Sequence, residues 1–135
     1  MMSFFEAVRT CMVEKYFRFS GRATRAEYWW FELFIFVVSM VATTIMMIGA
    51  LLVVADPDHM AIWFGILFFG LLINLSFVIP NITVTVRRLH DTGRSGWWYL
   101  VNFIPYVGWI PLLVFCCLRS EIGENEYGDE WKENA

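Results

Sequence analysis

Of the 135 residues, 59% are hydrophobic, 19% aromatic and 17% charged, with 13 Asp and Glu against 10 Lys and Arg, a net charge of −3 and a mean hydropathy of +0.56. Globular chains carry roughly 25% charged residues, and here the deficit is concentrated: residues 61–86 and 97–118 contain no Asp, Glu, Lys or Arg, and residues 28–54 contain only Glu32. This balance excludes a disordered chain, a nucleic-acid partner and, with three cysteines, a secreted disulfide scaffold, and it places most of the chain in lipid.

The first segment, residues 1–27, is charged throughout and does not resemble a cleaved signal peptide, so the apolar stretch after it is expected to stay as an anchor. Ser3-Phe4-Phe5-Glu6 fits a capping box. Phe5, Val8, Met12, Tyr16 and Phe19 then recur on one helical face, with Glu6, Thr10, Glu14 and Arg18 mostly away from it, which predicts an amphipathic helix that Gly21 ends. Its basic residues and aromatic face suit an anionic leaflet. Packing on the protein's own loops fits the same pattern. Thr24-Arg25-Ala26-Glu27 is a second capping box, which predicts a helix start at the membrane surface. Arg22, Arg25 and Glu27, with Trp29 and Trp30, read as interface anchors there, as do Trp97 and Trp98 further on.

A hydrocarbon core about 30 Å thick needs about 20 apolar residues. Residues 28–54, 61–86 and 97–118 are long enough, which predicts an all-α integral membrane protein: three transmembrane helices over 28–118, preceded by the interfacial helix and followed by an acidic tail, 119–135. Five Lys and Arg lie in residues 1–27, none in 55–60, three in 87–96 and two in the tail, so the N-terminus is expected inside. Three full spans leave the tail outside. Pro105, Gly108 and Pro111 interrupt the third stretch, however, and a segment that turned back there would return the tail to the cytoplasm.

Within the apolar stretches, Glu32, Asn74 and Asn81 are the polar exceptions. Asn74 and Asn81 are read as helix-packing contacts. Glu32 needs water, a cation or a polar neighbour, and Arg22 or Arg25 bending back is the partner expected for it. The densest constellation is Arg87-Arg88-Leu89-His90-Asp91-Thr92-Gly93-Arg94-Ser95-Gly96. Gly93 and Gly96 permit a turn, and Ser95 is placed to cap the next helix. Three guanidiniums beside headgroups would take phosphate oxygens bidentately, with His90 and Asp91 orienting one another or an arginine, so Arg87, Arg88, His90, Asp91 and Arg94 are the candidate anion site. The competing reading is a cytoplasmic topology signal with a salt-bridged turn.

Phe19-Ser20-Gly21-Arg22-Ala23-Thr24-Arg25-Ala26-Glu27-Tyr28-Trp29-Trp30, then Arg87 to Asp91 with Gly93 to Trp98, Ile104-Pro105 with Gly108, and Gly123, Asn125, Tyr127 and Gly128 stand in an order that resembles the domain of unknown function 805 family. A proline often follows the Tyr-Gly in that family, where this chain has Asp129-Glu130-Trp131. The resemblance covers about Phe4 to Gly128 and implies a small bacterial inner-membrane protein. It carries over no catalytic residue.

The only histidines, His59 and His90, are expected on opposite membrane sides, so no metal site is assigned. Cys11, Cys116 and Cys117 offer no Cys-x-x-Cys pair, and no phosphate-cradling glycine loop is present, so no cofactor is expected. The leading expectation is a non-catalytic membrane module that meets anionic lipid headgroups, a phosphorylated ligand or a partner protein. Gly49, Ala50, Ala42, Gly65 and Gly70 would allow close helix contact within a homo-oligomer or with another membrane protein. A homo-oligomeric transporter lined by Glu32, Asn74 and Asn81 is the alternative. A headgroup enzyme using His90 as base ranks third.

Overall fold

The computed structural model describes residues 2–128; the acidic end of the tail, residues 129–135, lies outside the described residues. Helix α1, Phe4–Arg9, begins at the expected capping box: the Glu6 N–H donates to Ser3 Oγ at 3.3 Å, and the Ser3 N–H to Glu6 Oε2 at 2.9 Å. It runs on as one wide π turn, Thr10–Glu14, closed by the Lys15 N–H on the Thr10 carbonyl at 2.8 Å. The helical run thus stops well before Gly21. The chain leaves it where the Thr83 hydroxyl, bonded to the Pro80 carbonyl at 2.9 Å, also lies 3.4 Å from the Tyr16 carbonyl. Ala7, Thr10 and Cys11 form the buried side, whereas Phe5, Val13 and Phe17 are exposed.

Helix α2, Arg25–Ala55, and helix α3, Met60–Asp91, have 31 and 32 residues, each roughly 45 Å long and sufficient to cross a bilayer. Asp56 caps the short 3₁₀ turn Pro57–His59 between them. At the start of α2 only half of the expected capping box forms: Thr24 Oγ1 accepts from the Glu27 N–H at 3.0 Å, but the Glu27 carboxylate is drawn to Arg87 instead.

The expected third span, 97–118, is not one helix. Ser95 caps a 3₁₀ helix, Gly96–Phe103, the chain then reverses, and α4, Trp109–Cys117, has only nine residues, about 13 Å against the ~30 Å hydrocarbon core. The reversal has an identifiable cause. Pro105 supplies no N–H, Tyr106 sits at φ +69°, and Gly108 lies so close to the Val101 and Ile104 carbonyls that no side chain fits. Pro111 is tolerated because it falls in the first turn of α4, where N–H groups have no helical acceptor. The Trp98 and Phe115 rings pack nearly perpendicular with centroids 5.4 Å apart, joining the two arms.

The chain divides into two compact units, Leu33–Val78 and the combination of Met1–Glu32 with Ile79–Ala135. Within the first, Phe34 meets Phe77 edge-on at 5.6 Å, Trp63 Nε1 donates to the Met46 carbonyl at 3.4 Å, and Gly49 and Gly70 leave room for Trp63 and Met46. Within the second, Phe4 packs against Trp30 at 5.9 Å, which fastens α1 to the start of α2.

Candidate functional site: a buried ion network

The last two turns of α3 place Thr83, Val84, Arg87, Arg88 and Asp91 in the interior, although basic side chains at a helix C-terminus are usually solvated. Arg87, Arg88 and Asp91 are 0% exposed, Glu27 1% and Arg22 6%. Charges so buried persist only when paired and hydrogen-bonded, and every one of these five is paired. Glu27 Oε1 accepts from Arg87, and the Cys11 thiol donates to the same oxygen at 3.7 Å. Asp91 accepts from Arg88, one helical turn back, from Arg22 Nε at 2.9 Å and from the Ser120 hydroxyl.

Arg88 and Arg22 also reach backbone carbonyls. Arg88 donates to Cys116 and Ala23, both at 3.1 Å, and to Leu118; Arg22 donates to Gly123 at 2.6 Å and Glu121 at 2.5 Å. Backbone bonds close the assembly: the Ala23 N–H on the Arg87 carbonyl at 3.1 Å, and the Glu121 N–H on the Asp91 carbonyl at 2.8 Å. The approach to α2, the end of α3 and the segment after α4 are therefore held by one network. Burial pushes the Cys11 thiol up to about 12; the Glu27 carboxylate adds to the rise and Arg87 opposes it, so the thiol contributes no charge. Three arginines face two carboxylates, and the network holds one positive charge in excess.

Relative to the sequence expectation, Arg87, Arg88 and Asp91 come together, but inside the protein and facing internal acceptors. His90 and Asp91 do not orient one another: Asp91 serves the arginines, whereas His90 Nδ1 meets the Gly21 carbonyl at 3.0 Å and its ring stacks on Tyr127 at 4.1 Å. Adjacent helix positions point about 100° apart, so one residue faces the core and the next the rim. Arg94 lies over the Phe115 ring at 4.4 Å and donates to the Thr92 carbonyl at 3.2 Å. Arg22 and Glu27, expected as interface anchors, are core residues because each meets a partner on α3; Arg25, Trp29, Trp30, Trp97 and Trp98 are exposed.

Glu32 is not paired with Arg22, whose charge is taken by Asp91. Its Oε1 accepts from Asn81 Nδ2 at 2.8 Å, and Tyr28 hydrogen-bonds the same carboxyl. Asn74 Nδ2 donates to the Gly70 carbonyl at 2.8 Å, and its Oδ1 accepts from Ser39 at 3.3 Å. Sequence reasoning missed Cys11, Ser120 and the accepting carbonyls of 116–123. Backbone acceptors leave no mark in a sequence, and only the excess of arginine beside apolar segments hinted at buried partners.

The chain has relatives among known proteins. The family described as "Protein of unknown function (DUF805)" matches residues 16–129. The chain is 36% identical over 121 residues to inner membrane protein YhaI of Escherichia coli (strain K12), covering 90% of this chain and 92% of that protein. It is 38% identical over 128 residues to inner membrane protein YhaH of the same organism, covering 90% and 93%. No solved structure matches the chain. Arginine-rich motifs, two span-length apolar helices and matches across nearly the whole chain converge: this protein belongs to the DUF805 family, whose relatives are inner-membrane proteins and whose function is unknown.

Proposed function

We propose that the protein is a non-catalytic, multi-pass inner-membrane module with its N-terminus in the cytoplasm. In this reading α2 and α3 cross the bilayer, the segment from Gly96 to Cys117 is re-entrant, and the ion network fastens the returning tail on the cytoplasmic side. The observation that carries it is the commitment of Arg22, Arg87 and Arg88 to internal partners. Guanidiniums so committed act as a structural clasp, and His90, bonded to Gly21 and stacked on Tyr127, stands apart from the Asp91 that would orient a catalytic base. Engagement of anionic headgroups then falls to the exposed cations of the same end, Arg18 and Arg25, beside the exposed Phe5 and Phe17 of the N-terminal segment.

Re-entry is supported by the two ends of the Gly96–Cys117 segment. Gly96 lies against Val86 and His90, and Leu118 and Glu121 bond Arg88 and Asp91, so both ends meet the same end of α3. Single cysteines at Asp58 and Glu124, in a chain whose own cysteines are serine, test this with an impermeant maleimide. Opposite sides are expected, Glu124→Cys facing the cytoplasm. Labelling of both from one side, or of Glu124→Cys from the periplasm, refutes it.

A second reading, a homo-oligomeric transporter of an ion or small solute, rests on the Glu32–Asn81 bond within helices of span length. Reconstituted protein that moves a solute, and loses that flux in Glu32→Gln, would favour it over the module.

A further inference from the structure

A cleft of about 530 Å³ opens over Arg22, walled by Lys15, Arg18, Thr10, Ser20 and Tyr127. We infer that this cleft is a binding site for a phosphate ester, distinct from the Arg87 to Arg94 turn.

Charge carries the argument. The network beneath the cleft has three guanidiniums and two carboxylates, and the member that lines the cleft is Arg22, on the side of the excess. A buried charge is screened by salt far less than a surface charge, so its field acts on whatever enters the adjoining space. Lys15 and Arg18 add two positive charges at the walls. The carboxylate on the lining, Glu14, is paired with Arg9 at 3.4 Å. An anion entering the cleft therefore meets a lining of three cationic side chains and one carboxylate that is already paired.

Size and chemistry narrow the class. The volume falls within the range of small-ligand sites, roughly 300–1,000 Å³, and exceeds what a halide needs. Arginine and lysine together suit a tetrahedral oxyanion, the former by its planar fork and the latter as a mobile point charge. Thr10 and Ser20 add hydroxyls, and Met2 and Tyr127 offer apolar surface to the esterified group. A phospholipid headgroup and a soluble phosphate ester share this chemistry. The inference deepens the headgroup reading above. It depends on the cleft and not on membrane sidedness, so an orientation result against that reading leaves it standing.

The test uses the full chain purified in dodecyl maltoside. One arm titrates glycerol 3-phosphate and follows its phosphorus resonance; the other adds phosphatidylglycerol, with phosphatidylcholine as comparator, and counts adducts by native mass spectrometry. Both arms are repeated on Lys15→Gln/Arg18→Gln and on the exposed single change Arg18→Gln, with helical circular dichroism as the check on folding. The expected result is one equivalent of at least one phosphate source, weakened tenfold or more in the double variant and several-fold in Arg18→Gln. Binding confined to phosphatidylglycerol identifies a headgroup site, and binding of glycerol 3-phosphate a soluble ligand. Failure of both probes to bind, or equal binding by wild type and a folded Arg18→Gln variant, overturns the inference.

Discussion

Glu27, in the first turn of α2, holds Arg87, 60 residues later near the end of α3, in an ion pair that water does not reach. The contact is made through one carboxylate oxygen; Glu27 Oε2 and Arg87 Nε are buried and have no hydrogen-bond partner among the described residues. Desolvating two charges offsets much of their attraction, so such a pair adds little net stability against an apolar replacement, yet removing one partner strands the other.

That asymmetry predicts that Glu27→Gln alone destabilises the protein by about 3–5 kcal/mol, while Glu27→Gln with Arg87→Met recovers most of the loss. Thermal unfolding in detergent of the wild type, both single variants and the double closes the cycle. Additive losses would mean the pair is not the unit.

Asp91 is the point where Arg22, Arg88 and Ser120 meet. Asp91→Asn leaves three buried arginines against one carboxylate, and the segment around Glu121, bonded to the Asp91 and Arg22 backbone and side chain, is expected to detach. Limited proteolysis reads this directly: cleavage between Leu118 and Gly128 should accelerate at least tenfold over wild type while α2 and α3 stay intact. An unchanged rate counts against the clasp.

Glycine positions separate by what surrounds them. A Cβ at Gly49 would lie 2.8 Å from the Trp63 ring, whereas at Gly65 nothing lies within 4 Å. Gly49→Ala should therefore destabilise by about 1–3 kcal/mol through overpacking, and Gly65→Ala should be neutral or stabilise by up to about 1 kcal/mol from helix propensity. Gly108→Ala, set against two backbone carbonyls that cannot move aside, should lose folded yield outright. Melting temperatures and detergent-extracted yield check all three.

The three thiols should differ in reactivity. Cys117 is exposed, Cys11 and Cys116 are buried, and Cys11, held up to about 12 by burial, presents almost no thiolate at pH 8. A thiol-reactive reagent able to enter detergent micelles is expected to modify Cys117 and leave Cys11 until the protein unfolds. In Glu27→Gln, which loosens its neighbour, Cys11 should become the second site. Labelling of Cys11 in the folded wild type at the rate of Cys117 would contradict the buried environment.

Composition alone determined that this chain belongs in lipid, because 27- and 26-residue stretches with one carboxylate between them have few stable homes elsewhere. Local rules located the Ser3 cap, the Ser95 cap and the two long helices, since caps and periodicity depend on residues within one or two turns. The break at Pro105 to Gly108 was also visible, but not its consequence: proline and glycine mark where a helix stops, while the direction taken afterwards depends on what the returning chain can bond. The partners of the charges belonged to tertiary structure. Arg87 and Arg88 look the same in a sequence whether they face headgroups or a core, and Glu27 fits a capping box equally well without closing it. The choice was made by groups 60 or more positions away, Glu27 for Arg87 and Asp91 for Arg22, because a charge leaving water takes the strongest complementary partner that the fold brings within reach.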